Sequence, residues 1–145
     1  FEASRNQLVE KVIRPHLKKG KWVVCDRFMD STTAYQGYGR GLPVEEIQAI
    51  NRFTVNGVSP DLTLLLDLEV STGFERIAQR YLALGESADR FEKEDRSFHE
   101  RIREGYLKLA AAEPKRFRII NAAKEPAAVA AAIWDTVTDV FRQSI

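Results

Sequence analysis

The run CDRFMDSTTAYQGYGRGLP, residues 25–43, is where this chain stops looking generic. Asp26 and Arg27 stand side by side. After them come Asp30, the hydroxyls of Ser31, Thr32 and Thr33, the phenols of Tyr35 and Tyr38, and Gln36. A carboxylate beside a guanidinium suits phosphoryl chemistry. Asp26 can help place a magnesium ion, directly or through its water shell. Arg27 offers a planar fork of donors matched to phosphate oxygens. Catalysis of phosphoryl transfer is mostly positioning and charge neutralisation. The plain alternative is an Asp–Arg pair that only caps a helix. Ser31, Thr32 and Gln36 are compact hydrogen-bonders suited to a nucleobase edge, and Tyr35 has a flat face that can wall off a sugar. GYGRG suggests backbone freedom at Gly37, Gly39 and Gly41, with Arg40 among them. Tyr38 reads as a half-buried aromatic, and Ser31 is also placed to cap a helix.

Three apolar, β-rich runs must position these groups: Trp22–Cys25, Leu62–Leu68 and Phe117–Ile120. Each is nearly continuous in apolar residues, as in strands buried on both faces of a parallel sheet. Helical patterns lie between them. The first is in rhythm from Phe1 to about Leu17, with Pro15 expected to end or kink it. The next has Pro43 near its start and Gly57 at its end. A third begins at Ser71, a candidate N-cap. Two more span residues 95–114 and 125–143. Helix–strand alternation of this kind means a parallel α/β sheet. In such sheets ligands bind beyond the carboxyl ends of the strands. Those ends carry Asp26 and Arg27, then Asp67 and Glu69, then Asn121.

Composition narrows the class. Lys and Arg total 22 against 21 Asp and Glu, a formal charge of +1, so no basic field argues for nucleic acid. One cysteine excludes an intrachain disulfide framework and a cysteine zinc site. No apolar run reaches the roughly 20 residues that span a bilayer, so a cytoplasmic location is expected. Cys25 reads as a small buried hydrophobe. His16 and His99 sit in charged helical surroundings without partners at metal-ligand spacing. Phe98, Tyr106 and Leu109 follow helical spacing and read as core. The stretch GESADRFEKE, residues 85–94, has the weakest pattern.

The run DRFMDSTTAYQGYGRGL resembles the signature of bacterial thymidylate kinases. The likeness continues in FEASRNQLVEKVIRPHLKKGKWVVCDR before it, in SPDLTLLLDLEVSTGFERI and DRFE after it, and in INAAKEPAAV near the end. The resemblance implies the three-layer, parallel-sheet P-loop kinase fold, with a lid region at about residues 73–95. It implies transfer of a phosphoryl group from ATP to dTMP, with Mg2+, in a homodimer. Phe1 would stack on thymine and Arg5 would hydrogen-bond its exposed edge, one turn apart on a shared helix face. Thr32 and Gln36 would contact the base, Ser31 would support the loop, and Tyr35 would pack on the deoxyribose. Arg27 would bind phosphate between donor and acceptor. Asp89 and Glu92 would belong to the lid. Arg76 and Arg80 would bind donor phosphates, unless they form a solvated helix face.

Two departures accompany the match. No G-x-x-x-x-G-K-[ST] occurs in the 145 residues, so the phosphate-cradling loop and its lysine are absent from this sequence. The chain is therefore expected to be an N-terminal truncation, lacking two strand–helix units of about 30 residues each and with them the sheet's central strand. Bare edges and apolar faces would follow, and the chain alone would be inactive. The lid interval IAQRYLALGESA holds Arg80 as its one arginine, which leaves open whether Arg80 or Arg90 takes the catalytic role. The competing readings are a non-catalytic nucleotide-binding or interaction fragment and a deoxynucleoside kinase.

Overall fold

The computed structural model describes residues 1–84 and 96–142. In chain order the elements are α1 (residues 2–17), α2 (residues 29–39), α3 (Val44–Val55), β1 (Thr63–Asp67), α4 (Val70–Leu84), α5 (Arg96–Ala112), β2 (Phe117–Asn121) and α6 (Pro126–Val140). β1 and β2 pair in parallel, Thr63 opposite Phe117 and Asp67 opposite Asn121. A parallel pair needs a long crossover, and α4 and α5 lie between the two strands in the chain. Two of the three expected strands are thus in place, at nearly their expected bounds.

The third is not. Trp22–Cys25 joins no sheet among the described residues. Apolar, β-prone residues do not make a strand without a neighbour to take their N–H and C=O groups. Val24 is 95% exposed, and Trp22 leans instead on Phe141, with ring centroids 4.7 Å apart. Cys25, expected to be buried, is exposed. The expected apolar surface appears at Val24, Leu66, Ile119 and Trp134.

Pro15 does not end α1. The helix runs as Glu2–Leu8, a wide turn at Val9–Ile13, then Arg14–Leu17. Within the wide turn the Arg14 N–H reaches back five residues to the Val9 carbonyl. Proline lacks an N–H and crowds the carbonyl four residues earlier, here Lys11. The widened turn contains that carbonyl, so the helix absorbs the proline without a break. α3 stops before Gly57, because Asn56 already takes the left-handed conformation at φ +46°. Ser71 is not the cap of α4. That helix starts at Val70, and the Gly73 N–H bonds the Glu69 carbonyl.

The largest difference lies in the signature run, which is not an open strand-end loop. Residues 29–39 form a helix, Met29–Thr32 continuing into a wide-turn segment Thr33–Gly39. Only Gly41 of GYGRG has positive φ (+75°). Gly39 serves close packing instead: a Cβ there would lie 2.9 Å from the Phe98 ring and 3.0 Å from Ile102. Across the same contact, a Cβ on Gly105 would lie 2.6 Å from the Tyr38 ring. α2 and α5 therefore pack backbone to side chain, and the core forms along the seam. Ala34, Phe98 and Ile102 make one cluster, and Leu109, Ala110 and Phe117 a second. Among the described residues no helix is long and apolar enough to cross a membrane.

Gly105→Ala is expected to destabilise the fold by about 1–3 kcal/mol, since its methyl group overlaps Tyr38. Gly73→Ala, whose Cβ would meet nothing nearer than 3.9 Å, is the control. Denaturant midpoints of the two variants measure the difference.

Candidate functional site

Arg27 follows the extended segment and adopts φ +65°, a left-handed conformation that costs an arginine strain. That backbone turn lets its side chain run back along α2. The Arg27 Nε donates to the Ser31 hydroxyl at 3.3 Å, and the guanidinium lies 4.4 Å above the Tyr35 ring. Ser31 shares a 2.7 Å hydrogen bond with the Tyr106 hydroxyl on α5. Burial pushes the Tyr106 phenol up from its ordinary value, so it stays protonated at neutral pH. Arg27, Ser31 and Tyr35, singled out in the sequence, are thus brought together. Tyr106, expected only as core, joins them through its hydroxyl.

A second cluster forms where α1, α2 and α3 meet. The Arg5 guanidinium donates to Glu2 at 2.6 Å, to the Asn51 side-chain carbonyl at 2.9 Å and to the Thr32 hydroxyl. Thr54 donates to the other Glu2 oxygen at 2.7 Å. Burial raises the Glu2 pKa, but Thr54 and Arg5 outweigh it and hold the carboxyl below its usual range. Asn51 is buried and donates to Thr33 at 2.9 Å and to the Met29 carbonyl at 3.2 Å. Arg5 and Thr32, expected to share one ligand edge, lie within hydrogen-bonding distance of each other. Asn51 was missed in the sequence. Its signal was a polar residue on the inward face of α3, in phase with Val55 four residues on.

The remaining expected residues are more dispersed. Phe1 precedes α1 and is 97% exposed. Gln36 is half-buried on α2, its carbonyl bonded to the Leu42 N–H. Arg76 donates to the Ala122 and Ala123 carbonyls at 2.9 and 3.0 Å, tying α4 to the turn after β2. It is therefore neither aimed at a phosphate here nor simply solvated. Arg80 is exposed further along α4. Asp89, Arg90 and Glu92 lie outside the described residues. His16 bonds the Val12 carbonyl, and His99 packs edge-on against Phe74 and Phe98, both in structural settings.

Two ion pairs frame the site. Arg116 grips Asp30 through both carboxylate oxygens, at 2.7 and 2.9 Å, and both groups are buried. At the carboxyl end of β1, Arg103 grips Asp67 at 2.7 and 3.0 Å and also reaches Glu69. Beside that pair is an apolar cavity of about 270 Å³, lined by Leu68, Phe74, Ile77, His99, Ile102 and Tyr106. Asp26 is exposed, and no group of three potential metal ligands occurs among the described residues. One free carboxylate suits a magnesium ion that keeps its water shell and not a caged metal.

A profile of the thymidylate kinase family matches residues 1–133. The chain belongs to the thymidylate kinase family. It is 53% identical over 139 residues to a thymidylate kinase of Solidesulfovibrio magneticus, covering 94% of this chain and 66% of that one. A thymidylate kinase of Trichlorobacter lovleyi is 49% identical over 138 residues, covering 94% of this chain and 65% of its own length. One from Oleidesulfovibrio alaskensis is 49% identical over 143 residues, covering 97% and 68%. The chain thus spans just under two thirds of the length of the first two relatives. Its mixed α/β architecture with a parallel pair fits the P-loop kinase fold of this family.

Breaking the Asp30–Arg116 pair, as in Asp30→Asn, should cost about 1–3 kcal/mol, because Arg116 stays buried with Glu113 as its one remaining carboxylate; urea unfolding checks this. Asp67 predicts a pH dependence. The Arg103 hydrogen bonds hold its carboxyl below the ordinary value. Its stabilising contribution is then full above the unfolded-chain pKa of about 4 and is lost as pH falls through the lower folded value. Asp67→Asn should flatten this acid limb of the stability profile, seen in thermal melts between about pH 6 and 2.

Proposed function

We propose that this chain carries the acceptor-binding face of a nucleoside monophosphate kinase. In this reading the ATP γ-phosphoryl group passes to dTMP, giving dTDP for dTTP synthesis. The observation that carries the reading is the meeting of two polar clusters on one short helix. Ser31 and Tyr35 face Arg27, while Thr32 faces Arg5. A monophosphate at Arg27 and a base at Arg5 and Thr32 would lie along α2 with the sugar between them, beside Tyr35. Arg27 commits only its Nε to the protein in the described contacts, which leaves the two terminal nitrogens for phosphate oxygens. The Tyr35 face beneath it holds one side of the guanidinium and leaves its other face and edge open to solvent and phosphate. Phe1 and Gln36 complete the base contacts in this reading.

The donor side is carried by family membership more than by geometry. A divalent ion held at Asp26 through water would supply charge neutralisation between the two phosphates. Arg80 or Arg90 would contact the transferring group, and Arg76, Asp89 and Glu92 belong to the lid region in this reading. A homodimer in the cytoplasm is part of the same proposal, as is the assignment of all 145 residues to one thymidylate-kinase-like domain. No segment of this sequence cradles triphosphate oxygens as G-x-x-x-x-G-K-[ST] does.

Two measurements test the proposal. Equilibrium binding to the 145-residue chain should favour dTMP over UMP, and Arg27→Ala should weaken dTMP by about tenfold or more while leaving thymidine unaffected. Binding of neither nucleotide would favour a non-catalytic interaction module. The chain alone should give no ATP-dependent conversion of dTMP, and measurable turnover would show that phosphate can be held without the glycine-rich loop.

A further inference from the structure

We propose that Asn51 is a positioning residue: it aims the Arg5 guanidinium at the bound base and thereby sets the preference for a pyrimidine carrying a carbonyl, not an amino group, at its exposed edge. The inference rests on the reading of Arg5 and Thr32 as base contacts and adds a residue with no expected ligand contact.

A guanidinium has five N–H groups in a fixed plane. Arg5 gives three of them to Glu2, Asn51 and Thr32. The other two meet no acceptor among the described residues, although the side chain is only 10% exposed. A group held on three points in one plane has its remaining donors fixed in direction. Glu2 shares α1 with Arg5 at i and i+3 and reaches α3 through Thr54, so it cannot tie Arg5 to α2. Asn51 can. It sits on α3, 3% exposed, with its carbonyl on Arg5 and its amide nitrogen on the Thr33 hydroxyl and the Met29 carbonyl of α2. Because one planar amide bonds both sides, Asn51 fixes the Arg5 tip against α2 together with the direct bond to Thr32. Oriented N–H donors favour a carbonyl oxygen opposite them and leave an amino group unpaired, which is the stronger kind of discrimination.

The test uses the 145-residue chain and three ligands: dTMP, dCMP and base-free 2-deoxyribose 5-phosphate. Asn51→Ser draws the acceptor one bond back from Arg5 and out of reach, and the preference for dTMP over dCMP should fall about tenfold, the scale of one hydrogen bond, with the sugar phosphate unaffected. Asn51→Asp keeps the acceptor for Arg5, loses the donor to the Met29 carbonyl and leaves the Thr33 hydroxyl able to donate in its place, so it should keep more of the preference than Asn51→Ser. If all three ligands weaken together in Asn51→Ser, or the preference is unchanged, Asn51 is structural only and the inference falls. Asn51→Thr replaces the serine variant if that one does not fold. A wild-type chain that binds the sugar phosphate without preferring dTMP overturns both the base-reading role of Arg5 and this inference. A wild-type chain that binds none of the three overturns the nucleotide reading itself. A ligand-free readout supplements these. Arg5 guanidinium N–H resonances should be slowly exchanging in the wild type and in Asn51→Asp, and broadened in the serine or threonine variant. Equal exchange in all of them would also overturn the inference.

Discussion

The buried Arg116–Asp30 pair is the contact on which the rest of this structure depends. Two charges taken out of water are tolerable only when almost every hydrogen-bonding position is filled. Arg116 meets that condition fully. Its Nε donates to Glu113, one terminal nitrogen to Asp30 and Thr63, the other to Asp30 and Glu113, which uses all five donors. The guanidinium also lies 4.4 Å over the Phe117 ring. Burial alone would lower its pKa, but the two carboxylates more than offset this and keep it charged. Through these bonds one side chain joins the start of α2, the start of β1 and the start of β2.

That junction decides where α2 can lie. With Asp30 clamped, Ser31 is turned to Arg27 and Tyr106, and Thr32, the next residue, faces Arg5. The two polar clusters are consecutive residues of one fixed helix turn, so their spacing is as rigid as the helix itself. The other end of α2 is held by shape, where Gly39 admits Phe98 and Gly105 admits Tyr38. Ionic pinning at one end and tight packing at the other leave the helix little freedom to slide. A site meant to hold a small ligand in one pose benefits from this preorganisation.

Much of the arrangement was legible in the sequence, and the omissions have physical causes. β1 and β2 could be read because continuous apolar runs bounded by Pro60 and Asp61, and by Pro114, leave few alternatives. Trp22–Cys25 could not be read correctly from composition, since whether a strand forms depends on what lies beside it. The helical state of residues 29–39 was hidden by glycines, which usually argue against helix; here close packing by α5 overrides propensity. Arg27, Ser31, Thr32 and Tyr35 were found because their chemistry is concentrated in one run. Asn51, Tyr106 and Arg116 are single residues on elements remote in sequence, and only the fold brings them to that run. Arg76 was placed correctly on its helix, but the carbonyls it holds lie 46 and 47 residues away.

The wide turn at Val9–Ile13 has a consequence of its own. Such a turn holds one residue more than a regular turn, so it acts as a phase shifter between the two ends of α1. An ordinary helix rotates about 100° per residue. Regular winding of that stretch at unchanged length would swing the Glu2–Leu8 end by about that angle relative to Arg14–Leu17. Arg5 would leave Thr32 and Asn51, and Phe1 would turn with it. Circular dichroism would still report a helix of nearly the same content, while the base-reading edge would be gone. The winding of this one turn is therefore a stricter constraint on the helix than the identity of most of its surface residues.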